Sequence, residues 1–415
     1  MTATAPHALG LDATSLDTPT PEAFANFFLP GPTAVHPEVL AAMTRPMIAH
    51  RGAEFEGLFA RLQDGLRVVF GTARPVFVSS SSATGLMEAG VRAVPPGRIL
   101  SVVNGAFSER FAQIVRACDR ELDVLPIAPG GVATADDVRA RLAAGRYVAV
   151  TVAHSETSTG ALTDVRAIRA VAREHGARCL VDSVTGCGGA ELRVDDWSLD
   201  YALTGSQKAL AMPAGLSFAV ASQEFIGTAG EGRARGLYFD LVEFEEYVRK
   251  NQTPNTPAIS LFYAAEVQLG RILRETMAGR WARHAEMAAL THRWVEAHAE
   301  RFGIGILAGA AHRSPTVTAV TVPAGLTGTD VVKAVKRRGV VVGDGYGPAK
   351  ARTFRIGHMG DHTPRTIARC LEVAEDALAA IPAELRAMVR GTAIIVEEVA
   401  EDEVIEAMGL DSPWE

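Results

Sequence analysis

The sequence is poor in the features that mark most specialised protein classes. Only Cys118, Cys179, Cys187 and Cys370 are cysteines in 415 residues. They stand too far apart for a Cys-x-x-Cys redox or zinc pair and are too few for a disulfide framework, which fits a reducing cytoplasm. No apolar run reaches the roughly 18 residues that a spanning helix needs. Positive charge is not in excess: the formal net charge is -7, with Lys and Arg dispersed. No basic stripe is therefore available to neutralise nucleic-acid phosphates. Met1 to Ala23 carries Asp12, Asp17 and Glu22 and no apolar core segment, so it reads as a mobile arm and not as a signal peptide or anchor. Repeats and low-complexity tracts are lacking too. What remains is a cytoplasmic protein expected to act on small molecules, without nucleic acid, membrane or metal.

Apolar residues make up 48% and charged residues 21%, the balance of a chain that buries large cores. At 415 residues it exceeds what one compact core usually holds, so a large domain with a smaller one is expected. Short Val, Ile and Leu runs at Arg98 to Val103, Tyr147 to Val152, Arg178 to Val181, Tyr201 to Leu203 and Leu216 to Ala221 read as buried strands. Between them lie amphipathic stretches such as Phe55, Leu58, Phe59, Leu62, Leu66 and Val69, whose spacing puts every member on one helix face. This alternation predicts an α/β fold with a mostly parallel sheet covered on both faces and ligands held by loops at its carboxyl edge. A helical stretch from about Ala258 to Phe302 leads to a second strand and helix set from Val317 to near Leu378. The expected organisation is an arm over 1–25, a large domain over 26–265, a small domain with its connecting helix over 266–390 and an acidic tail over 391–415. In that tail Ile394 to Val396 precede Glu397, Glu398, Glu401, Asp402, Glu403 and Glu406, which reads as a solvated acidic helix.

Two segments carry chemistry. In Cys179-Leu180-Val181-Asp182-Ser183 an apolar strand ends by delivering a carboxylate to the sheet edge. In Tyr201-Ala202-Leu203-Thr204-Gly205-Ser206-Gln207-Lys208 a strand runs into a small-residue turn that presents one lysine. A lone lysine there is usually a surface residue. Pyridoxal phosphate chemistry needs the pair: an amine to hold the aldehyde as an imine, and a carboxylate to keep the pyridine nitrogen protonated so that the ring absorbs carbanion electrons.

Further segments fall in a telling order: Leu29-Pro30-Gly31-Pro32-Thr33, Ser79 to Gly85 running into Leu86-Met87-Glu88-Ala89, Asn104-Gly105-Ala106-Phe107, Glu156-Thr157-Ser158-Thr159-Gly160, and Phe354-Arg355-Ile356-Gly357-His358-Met359-Gly360. With the Asp182 and Lys208 segments, they make the chain resemble the class V aminotransferases of the pyridoxal-phosphate fold type I. That group includes the alanine:glyoxylate, serine:pyruvate and phosphoserine aminotransferases. The likeness runs from Phe28 to Leu378. It implies a large domain with a mostly parallel sheet of the seven-stranded type and a smaller C-terminal α/β domain. It also implies a homodimer with active sites at the interface.

Free N–H groups at Ser82, Ala83 and Thr84, just before an apolar helix, are suited to phosphate. By resemblance, Phe107 stacks on the cofactor, Thr157 bonds its phenolic oxygen, Gln207 lies beside its phosphate, and Lys208 carries it over Asp182. Arg355 matches the arginine that grips the substrate carboxylate, a task suited to its planar fork of donors. Asn251 to Pro257 resembles the segment that reaches the partner's phosphate; Gln252 and Thr253 are the expected contacts, with Thr256 as the alternative register. His50 and Arg51 are expected at the substrate. If they bind a phosphate, the enzyme is a phosphoserine aminotransferase. The Ser-Ala-Thr-Gly and Arg-Ile-Gly-His-Met-Gly wording favours alanine or serine as donor and glyoxylate or pyruvate as acceptor. A lyase of the cysteine desulfurase or kynureninase type is a further alternative; a desulfurase-like site would stack a histidine where Phe107 stands and would also need a reactive cysteine on a mobile loop. A noncatalytic cofactor-binding regulator is the remaining alternative.

Overall fold

The computed structural model describes residues 26–231 and 235–381. The expected N-terminal arm and acidic tail lie outside the described residues. The strands in chain order are β1 (Phe27–Phe28), β2 (Val76–Ser79), β3 (Ile99–Val103), β4 (Leu122–Pro126), β5 (Ala149–Ala153), β6 (Ser155–Glu156), β7 (Ala161–Leu162), β8 (Arg178–Asp182), β9 (Tyr201–Gly205), β10 (Ser217–Ala221), β11 (Gly305–Ile306), β12 (Val317–Thr321), β13 (Val341–Asp344) and β14 (Thr353–Gly357). A seven-stranded sheet has the order β2-β10-β9-β8-β5-β3-β4. Its neighbours are parallel except β10, which runs against both β2 and β9. This is the mostly parallel sheet the apolar runs predict, and those runs match five of its strands to within two residues at each end.

The helices cover the sheet because their apolar stripes have nowhere else to go. Along the helix Ala53–Phe70, the spaced residues Phe55, Leu58, Phe59, Leu62, Leu66 and Val69 are all buried. Phe55 and Phe59 pack on Phe262 of the helix Ile259–Glu275. A second core lies under the five-stranded sheet β1-β13-β14-β12-β11, where Phe28, Val320, Val342, Phe354 and Ile356 meet Ile367 and Leu371 of the helix Pro364–Ala379.

Two features depart from the simple pattern. The stretch from Ala258 to Phe302 is two helices, Ile259–Glu275 and Met277–Phe302, because Thr276 takes a φ of 68° and its hydroxyl accepts the Gly279 N–H at 3.1 Å. Periodicity continues across that break, so the apolar spacing gives no sign of it. Strand β1 also pairs in parallel with β13, so the first described strand belongs to the five-stranded sheet. The chain then crosses to the loop after β9, where Thr33 N–H donates to Gln207 O at 2.9 Å.

A charged cluster fastens the same junction. Arg280 is buried and donates to Ala209 O at 2.6 Å, Gly188 O at 3.1 Å and Asp361 Oδ1 at 3.2 Å. One side chain thus ties the helix Met277–Phe302 to the loop that follows Lys208.

Candidate active site

Strand β9 ends at Gly205, and the next turn is closed by Ser206: its hydroxyl donates to Pro213 O at 2.6 Å and its N–H to Leu216 O at 2.9 Å. Lys208 leaves this braced turn and is 7% exposed, with Nζ donating to Pro30 O at 2.6 Å. Burial, reinforced by the Arg355 charge, lowers its pKa to about 8. An amine so placed is neutral, and therefore nucleophilic, at far lower pH than a surface lysine. Room for it comes from Gly31, whose φ is 96° and where a Cβ would stand 2.2 Å from Lys208 Cδ. No other residue type fits there without moving the lysine.

Asp182 closes β8, the neighbour of β9, and is 5% exposed. Its Oδ1 accepts the Val184 N–H at 2.8 Å. Burial raises its pKa to about 7, partly offset by that bond and by the Lys208 charge. A cationic ring nitrogen set before it would favour its ionised form.

The helix Ala83–Ala93 starts beside the same turn, and its N-cap Ser82 makes no side-chain capping bond. Gln207 faces this end: a Cβ on Gly205 would meet Gln207 Oε1 at 2.8 Å and Ala83 Cβ at 3.5 Å. Gln207 Oε1 is buried with no partner. Turning the amide aims an NH₂ donor into the same space, where an anion would satisfy it together with the helix N–H groups.

Phe107 opens the helix Ala106–Ala117, and Lys208 Nζ lies 5.7 Å from its ring centroid. The strand β6 supplies Glu156, which is fully buried. It accepts Phe107 N–H at 3.2 Å, Ser108 N–H at 2.9 Å, Ser158 N–H at 3.0 Å and the Ser158 hydroxyl at 2.6 Å. Thr157 is buried and shares a hydrogen bond with the Thr185 hydroxyl. Arg355 lies in the middle of β14, not at a strand end, and is 8% exposed. Its Nε donates to Asp344 O at 2.7 Å and its Nη1 to Thr157 O at 3.2 Å.

His50, Arg51, Gln252 and Thr253 form a second group. Arg51 donates to Gln252 Oε1 at 3.2 Å, Thr253 O at 2.7 Å and Pro254 O at 3.1 Å, and lies over the Tyr247 ring. His50, next to it, is half-buried. Thr253 and Thr256 line one cleft with Ser79 and Ser80, so both registers lie by the end of β2.

Sequence reasoning passed over three neighbours of the site: Glu156 as a cap, Arg110 and Tyr346. Arg110 donates to Tyr346 Oη at 3.2 Å, and the Tyr346 ring stacks on Phe107. Glu156 stands in the Glu156-Thr157-Ser158-Thr159-Gly160 segment, where an acid among Ser and Thr is a usable signal. Tyr346 comes from a distant loop and gave none. The cysteines are not reactive candidates: Cys187 is fully buried with its thiol pushed up to about 12, and Cys370 is buried with its thiol also pushed up.

A buried lysine of lowered basicity, a strand-end carboxylate and an open helix N-terminus at one sheet edge fit pyridoxal phosphate, and together with the fold they define a transferase that uses it. The chain belongs to the class V aminotransferase family, which matches residues 30–359. It is 34% identical to an uncharacterized aminotransferase of Methanocaldococcus jannaschii over 86% of this chain and 94% of that one. It is 30% identical to the L-aspartate–glyoxylate aminotransferase of Paracoccus denitrificans, over 85% of this chain and 90% of the relative. The crystal structure of an alanine–glyoxylate aminotransferase from Nostoc sp. superposes with a TM-score of 0.80 at 29% identity, covering 85% of this chain and 94% of that one. The protein is an aminotransferase, and its cofactor is pyridoxal phosphate. Among the described residues no helix is long and apolar enough to cross a membrane.

Proposed function

We propose that the enzyme moves an amino group from a small L-amino acid, alanine or serine, to glyoxylate or pyruvate, with Lys208 holding the cofactor covalently. The observation that carries this is Lys208 itself, buried, with its pKa near 8, beside the strand that ends in Asp182. Both the Paracoccus and the Nostoc enzymes are glyoxylate aminotransferases, which supports glyoxylate as acceptor.

When bound, pyridoxal phosphate supplies an electron sink for the substrate's α carbon. The residues of the chain do the rest. Ser82, Ala83 and Thr84 hold the phosphate through main-chain N–H groups, with Gln207 beside them. Phe107 would offer a flat apolar face to the ring, and the Thr157 hydroxyl would serve its phenolic oxygen. Asp182 would keep the ring nitrogen protonated. Arg355 takes the substrate carboxylate as a two-pronged charged hydrogen bond. Lys208 Nζ, the buried amine at the site, would be the base that takes the proton from the substrate's α carbon and the acid that gives it back.

Gln252 and Thr253 serve the phosphate of a partner protomer, which makes the enzyme a homodimer, and His50 and Arg51 stand at the substrate entrance. A phosphoserine donor would ask Arg51 to grip a phosphate. Three of its five N–H donors are instead directed at Gln252, Thr253 and Pro254, which supports the unphosphorylated donors.

The loaded protein mixed with single amino acids, with the yellow band of the lysine-bound cofactor followed by absorbance, tests this without any acceptor. Bleaching by alanine or serine and not by phosphoserine is expected; selective bleaching by phosphoserine and glutamate would move the enzyme to phosphoserine metabolism. Lys208→Ala should remove the band and turnover together, and full activity in that variant would end the assignment.

A further inference from the structure

Tyr346 sits between the two sheets, on the loop that joins β13 to β14. Its ring stacks on Phe107 with centroids 5.3 Å apart and planes 19° from parallel. The Arg355 guanidinium lies 5.6 Å from the centre of the Tyr346 ring, and the Tyr346 hydroxyl accepts from Arg110 at 3.2 Å. The loop is pinned on both sides of the ring. Before it, the Asp344 carboxylate accepts from the Thr329 hydroxyl at 2.9 Å, and Asp344 O accepts from Arg355. After it, Gly347 takes a φ of 62° and approaches so closely that a Cβ there would stand 2.8 Å from the Ala106 Cβ. Tyr346 is still 39% exposed. A large aromatic held this firmly, yet left open at the mouth of a polar site, is not filling a core.

Arg355 and Lys208 Nζ, the two groups a substrate would engage at its carboxylate and α carbon, each approach one ring of the Phe107 and Tyr346 stack. Lys208 Nζ is itself only 5.7 Å from the Phe107 centroid. We infer that Tyr346 is the wall of the donor side-chain pocket, admitting side chains the size of a methyl or hydroxymethyl group and turning away longer and aromatic ones. This rests on the aminotransferase reading of Lys208 and Arg355. Its physical basis is steric: the stack and the Arg110 bond oppose displacement of the ring, so an oversized side chain must break both contacts to fit. Each extra methylene in or out of such a pocket typically changes kcat/KM by about 10-fold to 200-fold.

The test compares the loaded wild type with Tyr346→Ala, Tyr346→Leu and Tyr346→Phe in the donor half-reaction. The donors are L-alanine, L-serine, L-2-aminobutyrate, L-norvaline and L-phenylalanine. In the wild type, kcat/KM should fall steeply after L-2-aminobutyrate. In Tyr346→Ala the norvaline-to-alanine ratio should rise at least about 10-fold, with Tyr346→Leu rising less and Tyr346→Phe keeping the wild-type ranking. Binding of unreactive propionate, pentanoate and 3-phenylpropionate, measured by calorimetry, should lose its length penalty in the same two shortened variants. Unchanged ratios in Tyr346→Ala and Tyr346→Leu, with unchanged carboxylate binding, would overturn the inference. A wild type that reacts with no amino acid would strike the aminotransferase reading instead, and the carboxylate series would still decide the role of Tyr346.

Discussion

At the scale of single residues the site depends on how Lys208 is seated. Its side chain passes over Gly31, where a methyl group would overlap Cδ, Cε and Nζ at once. Gly31→Ala should therefore fold but push the amine off its line. A displacement of about 1 Å is enough to cost roughly 100-fold in rate. Steady-state kcat/KM together with cofactor titration would check this, and turnover close to wild type would mean the lysine has room the packing denies it. The lowered basicity gives a second expectation. Only the neutral amine attacks the cofactor aldehyde, and burial brings the pKa to about 8. The rate at which the cofactor-free protein captures pyridoxal phosphate should rise as pH climbs toward 8 and level off above it. A rise continuing beyond pH 10 would show a lysine behaving as if solvated.

At the scale of elements, Glu156 on β6 caps the helix that carries Phe107. Its carboxylate accepts the Phe107 and Ser108 N–H groups with both Ser158 donors. Removing it in Glu156→Ala leaves several donors buried and unpaired, each costing about 1–3 kcal/mol. A loss of roughly 3 kcal/mol or more in urea unfolding is expected, with weaker cofactor binding because Phe107 loses its fixed place. A loss under about 1 kcal/mol would contradict the cap. Such elements also mark where the sequence was legible. Asp182 closes an apolar strand and Lys208 stands in the small-residue turn just after another, and an apolar run that gives way to a charged residue is a local signal. The amphipathic helix from Phe55 to Val69 was equally plain. The break at Thr276 was not, since apolar periodicity carries through it. Nor was the setting of Arg355 between β12 and β13, or of Tyr346 over Phe107. Those depend on how a second sheet docks on the first, and no run of neighbouring residues encodes that.

At the scale of the whole molecule, each sheet is fastened within its own layer by neutral imidazoles as much as by apolar packing. His362 stacks on Phe28 and bonds to Phe27 O at 2.8 Å, holding β1 in the five-stranded sheet. His358 bridges the Thr318 hydroxyl at 2.8 Å and Pro315 O at 2.9 Å, and His154 bonds the Ser183 hydroxyl at 2.9 Å, one residue from Asp182. Burial lowers all three: His154 and His362 to about 4 and His358 to about 3. A histidine released by unfolding titrates near 6.5. The folded pKa values lie below the unfolded one, so the unfolded chain binds more protons as pH falls. The stability these groups contribute is present above about pH 6.5 and is lost progressively down to the folded values near 4 and 3. At pH 5 each group has moved about 1.5 pH units below its unfolded pKa, a loss on the order of 2 kcal/mol apiece. Urea midpoints should thus be steady from pH 7 to 8 and drop between pH 6.5 and 5, before most carboxylates begin to titrate. Replacing His358 with Gln keeps donor and acceptor groups without the titration, and should make that drop shallower while leaving pH 5 stability relatively higher. A midpoint that holds steady down to pH 5 in the wild type would show that these imidazoles are free to charge in the folded protein.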